Sequence, residues 1–360
     1  MGKADDLREA LTNPPPRKPV IPDSHYLSTG ITTLNLAVSG KPLGGIAKGN
    51  YVYFVGDSSS GKTWLAFQIF AEAARNAEFD GYELVYDNVE NGALFDVERL
   101  FGLKTYRRVR PPDGTRSKPK FSRTVEDYYF TLDRYLSKGP CIYVVDSMSA
   151  LSSRADDKKY LEAKEAWEED KAPEAGSYGM AKAKTNSQNS NRAAIMLADT
   201  GSILLVVNQT RDKVGSNIPG AKTASGGKAL RFYAHVELWT SIREVYKKGT
   251  WDVGAQIEID VQKNRLSGWE GKIRVPFYKQ SGFDDLGALI DFMVSDGHWK
   301  KDQSGRIEAP EFTGEKKLYR EALIQQIQED DAERELQVMV GGVWERLLAE
   351  SKPQRKQRYT

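Results

Sequence analysis

The sequence predicts an α/β protein: a mostly parallel sheet flanked by helices, with an antiparallel edge and a small C-terminal helical lobe. Three observations carry that prediction. Four short apolar runs, 51–56 (YVYFVG), 83–88 (ELVYDN), 142–147 (IYVVDS) and 202–208 (SILLVVN), are separated by stretches of helical spacing. Such runs are the signature of parallel strands covered on both faces. Three later runs, 235–240 (HVELWT), 256–261 (QIEIDV) and 272–278 (KIRVPFY), are closer together and alternate, so antiparallel hairpins are expected at one edge. After Gly297 the pattern changes to a charged loop and then to helical spacing at 318–328 and 331–350.

In chain order, residues 5–12 (DDLREALT) predict a short helix, and Asn13 to Pro19 (NPPPRKP) a stiff linker that holds this arm off the core. The parts are an N-terminal arm at 1–25, a core at 26–296, a helical lobe at 297–350 and a basic tail at 351–360. Residues 155–171 (ADDKKYLEAKEAWEEDK) predict a charged helix with more acids than bases.

Composition excludes several classes. The single Cys141 rules out an intrachain disulfide, and His25, His235 and His298 are too scattered for a zinc cluster. No run of 18 apolar residues occurs, and MGKADDLREA does not read as a signal sequence, so a cytoplasmic protein without membrane contact is expected. A net charge of +2 announces no nucleic-acid binding by itself, so any basic surface must be local.

The chemistry starts at Gly56-Asp57-Ser58-Ser59-Ser60-Gly61-Lys62-Thr63, a complete G-x-x-x-x-G-K-[ST] phosphate loop. The strand 51–55 leads into it, and 64–74 (WLAFQIFAEAA) comes next with helical spacing. In such a strand–loop–helix, backbone N–H groups turn onto phosphates and the positive helix end adds to the attraction. Lys62 reaches the outer phosphates and Thr63 ligates Mg²⁺. The expected ligand is a nucleoside triphosphate. Asp146 ends the strand IYVVD, where a second metal-shell carboxylate is needed.

Glu90 comes just after the end of strand ELVYDN and has two readings of equal weight. It is either the carboxylate that orients or deprotonates water, or a favourable acid at the start of a helix over ALFDVERLF. Gln209 ends the next strand, where its amide can contact a γ-phosphate and report it onward. The adjoining stretch, 210–228 (TRDKVGSNIPGAKTASGGK), has four glycines and four cations against one acid. That composition suits either a solvated connection or a loop that tracks a polyanion backbone.

The order GDSSSGKT, VVDS, VNQTRDKVG, ASGGKALRFYA and VQKNR resembles the RecA recombinases over roughly residues 26 to 296, most specifically from Asn208 to Ala234. The C-terminal lobe is also similar to the UvsX group of phage recombinases. The resemblance implies a RecA-like phosphate-loop ATPase core that uses ATP and Mg²⁺. Lys62, Glu90 and Gln209 would be catalytic; the loop 56–63 and Asp146 would hold nucleotide, and Thr63 and Asp146 the metal. Lys263 and Arg265 would reach the ATP of a neighbouring subunit, and the N-terminal arm would be a polymerisation element. A first DNA-binding loop would lie near 172–184, including Tyr178, Met180 and Lys184. A second would span 210–227, including Arg211, Lys213, Lys222, Gly226 and Gly227. The implied partners are single- and double-stranded DNA, further copies of the chain in a helical filament, and single-strand-binding and mediator proteins.

The sequence also departs from the family. The strand end reads DNVEN rather than the family's Asp-Ala-Glu-His, so Glu90 is registered to within one residue, and Asp87 is the alternative carboxylate. Val97 stands where the family has a base-stacking aromatic, the insert 155–171 has no counterpart, and the tail is basic where the family's is acidic. The rival reading is a RecA-fold ring helicase or other DNA motor ATPase.

Overall fold

The computed structural model describes residues 22–169, 180–212, 222–224 and 227–351. The helix expected at 5–12, the proline linker, Tyr178, Lys213, Gly226 and the tail from 352 lie outside the described residues.

Helix α1 (Thr32–Ser39) precedes strand β1 (Tyr51–Gly56), the phosphate loop and α2 (Lys62–Arg75). Then come β2 (Glu83–Asn88), the short helices α3 (Val97–Phe101) and α4 (Leu103–Arg108), and edge strand β3 (Val109–Arg110). A small hairpin is next, β4 (Asp113–Thr115) with β5 (Lys118–Lys120), and then α5 (Val125–Leu136). Strand β6 (Cys141–Asp146) leads to α6 (Arg154–Glu168), α7 (Met180–Thr200) and β7 (Ile203–Asp212). Strand β8 (Lys222–Ala224) and helix α8 (Lys228–Tyr233) precede the long strands β9 (Val236–Lys248), β10 (Trp251–Asn264) and β11 (Gly271–Tyr278), with β12 (Gly282–Phe283) after them. Helices α9 (Asp285–Ser295), α10 (Arg320–Glu329) and α11 (Glu333–Glu350) complete the described chain.

The main sheet runs β12-β11-β10-β9-β1-β7-β6-β2-β3, with β8 attached to β7. From β9 to β3 all pairs are parallel, and from β9 to β12 all are antiparallel. This is the predicted mixed sheet. Side chains of β1 divide by strand alternation: Val52 and Phe54 join one hydrophobic cluster, and Tyr51, Tyr53 and Val55 the other. Both faces are therefore buried, which is why the parallel strands read as continuous apolar runs.

Register sets the functional rim. Gly56 pairs with Gln209, Val145 with Val206 and Asn88 with Asp146, so four strands reach one edge of the sheet together. Ligands of open α/β sheets bind at that carboxyl edge.

Three features differ from the sequence reading. Strand β7 runs on to Asp212 and pairs antiparallel with β8, so the expected loop from 210 stands on a two-stranded stem. The lobe contains a three-stranded antiparallel sheet (300–301, 307–308 and 317–318), whose two-residue strands are too short to show a period of two. It also shares one hydrophobic cluster with the core, since Leu323, Leu336 and Trp344 pack with Leu34, Leu36 and Leu289. The charged insert is helical as expected. Helix α6 starts at the Ser153 cap, buries no side chain, and leaves Tyr160, Leu161 and Trp167 exposed.

Candidate functional site: a phosphate loop joined to a cationic stem

The loop between β1 and α2 is closely packed backbone. A Cβ added at Gly56 would lie 2.2 Å from Thr240 Oγ1, and Gly61 caps α2 at φ 87 with Phe283 Cζ 2.8 Å from where its Cβ would be. Both positions need glycine. At the start of α2, the buried Lys62 ammonium donates to Gly56 O at 2.8 Å and Asp57 O at 2.6 Å. Burial lowers its pKa, opposed by the carboxylates of Asp146, Glu90 and Asp57. A cavity of about 340 Å³ opens here, lined by Ser59 to Thr63, Trp64, Phe277 and Lys279.

Thr63 Oγ1 donates to Asp146 Oδ2 at 2.6 Å, and Tyr86 OH donates to the same oxygen at 2.9 Å. Burial raises the Asp146 carboxyl, and these two hydrogen bonds pull it back. A hydroxyl and a carboxylate in contact at a helix N-terminus are the hard oxygen donors that a magnesium ion held mainly by phosphates and water requires. The glycine-lined loop, the buried ammonium and this oxygen pair fit a magnesium–triphosphate group.

Glu90 sits at the same rim. Its backbone N–H donates to Asp146 O at 3.2 Å, and its Oε1 accepts from Ser147 Oγ and, at 2.8 Å, from Gln209 Nε2. The helix-start reading of Glu90 is overturned, because α3 begins only at Val97 behind the Asp96 cap. Asp87, the other register, is fully buried and accepts from Ser122 N and Oγ and from Tyr143 OH. It points into the packing between β2, β6 and the segment before α5.

The phosphate loop also touches the stem. Asp57 accepts from Thr210 Oγ1 on β7 and pairs with Lys222 on β8, and Lys222 is the main cause of its lowered pKa. Gly227, at the start of α8, rests against Ala183 of α7, its added Cβ falling 3.2 Å from that of Ala183. The ends of the two expected DNA-binding loops are thus neighbours. Met180, Lys184 and Arg211 are exposed on this side. Lys182, which the sequence reading passed over, is held by Ser149 O and Leu151 O, and burial with the nearby Arg211 charge pushes its pKa down to about 8.

Lys263 and Arg265 are not brought to their own phosphate loop. Glu237 pairs with Lys263 across the ladder and with Tyr53 of β1, three residues short of Gly56. Both cations fold onto the end of α8, Lys263 onto Arg231 O and Phe232 O and Arg265 onto Phe232 O. Burial, then the Arg265 charge, lowers the Lys263 pKa to about 8. Val97 also stands away from the loop cavity, in a cleft with Phe67, Tyr86 and Tyr106. Trp64 and Phe277 supply the aromatic walls instead. Trp64 directly succeeds the phosphate-loop Thr63, a signal the sequence carried.

Fold and site define a phosphate-loop nucleotide-binding α/β protein whose loop is joined to a cationic β-stem. Residues 137–282 match the family model described as the RecA N-terminal domain. Protein RecA of Nocardia farcinica (strain IFM 10152) is 29% identical over 288 residues, which cover 77% of this chain and 72% of that protein. Protein RecA of Mycolicibacterium gilvum (strain PYR-GCK) is 29% identical over 295 residues, 79% of this chain and 73% of that protein. The chain is therefore similar to RecA proteins over about three quarters of its length, and its central part to the RecA N-terminal domain.

Proposed function

We propose that the chain is a DNA-dependent ATPase that polymerises on single-stranded DNA and pairs it with homologous duplex in recombination and repair. The observation that carries this reading is continuity: Glu90 touches Gln209 at 2.8 Å, and Asp57 of the phosphate loop touches both strands of the stem. A phosphoryl group at Lys62 would contact the same groups that fix the stem. Bound nucleotide and bound DNA would then bias one arrangement, which is what linkage between two sites requires.

In this reading Lys62 and the N–H groups of α2 would hold the phosphates, and Thr63 and Asp146 would hold Mg²⁺, which when bound would supply charge neutralisation at the phosphates. Glu90 orients and deprotonates the attacking water, and Gln209 reports the outer phosphate to the stem. Met180, Lys184, Arg211 and Gly227, with Tyr178, Lys213 and Gly226 beyond the described residues, track the DNA backbone. Sequence specificity comes from base pairing between strands. Lys263 and Arg265 complete the site of the next subunit, so ATP clamps the filament and hydrolysis releases it.

The test is ATP turnover with and without single-stranded DNA, with electron microscopy of the same samples. Stimulation by DNA and helical filaments in ATP are expected. Closed rings translocating on DNA would favour a ring helicase, and turnover indifferent to DNA would contradict the reading.

A further inference from the structure

The densest cationic segment among the described residues is not one of the expected DNA loops. Residues 104–123 (KTYRRVRPPDGTRSKPKFSR) carry eight lysines and arginines and one acid. The segment contains the β4–β5 hairpin, paired Asp113 to Lys120, Gly114 to Pro119 and Thr115 to Lys118, with all six residues exposed. Gly114 turns at φ 75, and a Cβ there would fall 2.3 Å from Lys118 O, so the hairpin needs this glycine.

The cations divide into those used for folding and those left over. Arg108 is spent on Ala73 O, Phe79 O and Tyr82 O, and Arg110 pairs with Glu83 at 3.1 Å. Arg116 anchors the hairpin: it donates to Val109 O at 2.9 Å and lies 4.2 Å from the centre of the Tyr106 ring. Lys118 and Lys120 have no ion pair among the described residues. Asp113 faces Lys120 across the ladder, but its Oδ1 accepts from Gly114 N at 2.7 Å. Strand alternation puts both lysines on one face, roughly 7 Å apart. On either side lie open clefts, one of about 430 Å³ lined by Arg107, Arg134 and Lys138 with Asp113, the other of about 680 Å³ lined by Lys120 and Arg123 with Asp113 and Asp127.

Its placement is fixed too. Ser122, two residues past the hairpin, binds Asp87 near the carboxyl end of β2, and Asn88, Val89 and Asn91 border the larger cleft. The hairpin therefore rises from the same rim as Glu90 and Asp146, at the edge-strand side of the sheet.

We infer that the β4–β5 hairpin is an additional nucleic-acid site, with Lys118 and Lys120 contacting the phosphodiester backbone of duplex DNA. A two-stranded ribbon fits the major groove of a duplex. The hairpin exposes no large apolar side chain, whereas a protein interface centres on aromatic and apolar anchors. It is also separate from the stem assigned to the single strand. The inference rests on the DNA-dependent reading above and adds where the second DNA molecule is held.

The test measures binding of the full chain to a random-sequence duplex and to a single strand across a salt series. Lys118→Ala/Lys120→Ala is compared with wild type and with Lys158→Ala/Lys159→Ala on the acidic helix α6. Each lost duplex phosphate contact removes about 0.9 from the log–log salt slope, so the hairpin variant should lose about 1.8 on duplex. The single-strand slope and the α6 control should stay as in wild type. An unchanged duplex slope overturns the inference, as does a fall confined to the single strand. Lost poly-glutamate binding, or shortened filaments, with the duplex slope unchanged also overturns it and assigns the hairpin to a protein contact. Wild-type protein that binds neither DNA contradicts the parent reading instead, so the two failures are distinct.

Discussion

Gln209 Nε2 donates to Glu90 Oε1 at 2.8 Å, joining a residue within β7 to one just past the end of β2. The amide therefore reads the position of the carboxylate proposed to act on water, and it does so one residue before the stem begins at Thr210.

Glu90→Gln should keep nucleotide and DNA binding while slowing turnover by roughly 10²-fold or more, the range for losing a general base. Steady-state hydrolysis beside filter binding of a nucleotide analogue checks this. Asp87→Asn should instead act on folding, because that buried carboxylate holds Ser122 and Tyr143. If Asp87→Asn folds normally and is inactive while Glu90→Gln turns over normally, the register is wrong.

Asp57→Ala should leave the fold nearly as stable, since its ion pair with Lys222 is partly solvent-exposed and such pairs contribute about 0–1 kcal/mol. It should, however, uncouple the stem from the phosphate loop. The expected result is near-normal basal hydrolysis with a several-fold smaller stimulation by single-stranded DNA. Full stimulation in this variant would remove Asp57 from the coupling.

Asp285 joins the lobe to the core: it accepts from Thr32 N and Oγ1, both at 2.7 Å, and from Gln337 at 3.3 Å. Burial raises its pKa to about 6 from 3.8. An acid whose folded pKa is raised binds protons more readily in the folded state, so its contribution to stability grows as pH falls from about 6 to about 4. It is lost again as pH rises through the folded value, each unit being worth about 1.4 kcal/mol. Denaturation of wild type and Asp285→Asn across that window should show this slope in their difference. A flat difference would contradict it.

The parallel strands and the phosphate loop were legible because burial on both faces writes an unbroken apolar run and the loop has a fixed spacing. Glu90 was harder to place, because distinguishing it from a helix-start acid needs to know that α3 begins at Val97. Neither the Asp57 contacts with Thr210 and Lys222 nor the β7–β8 stem could be read, as both depend on residues more than 150 positions apart or on strands of three residues. Lys182 carried no signal in the sequence because only folding turns it onto Ser149 O and Leu151 O.

The central claim is that nucleotide is shared between subunits, the cations of one chain meeting the phosphate loop of the next. Lys62→Ala removes the ammonium beside Gly56 O, and Lys263→Ala/Arg265→Ala removes the pair folded onto α8, so each protein alone should be nearly inactive. Arginine fingers supplied in trans are worth about 10³–10⁵ in rate in GTPases. The decisive measurement is DNA-stimulated hydrolysis by a mixture of the two. Partial activity is predicted, because some interfaces pair an intact phosphate loop from the double variant with intact cations from Lys62→Ala. A mixture that co-assembles on DNA and stays inactive would contradict the shared site.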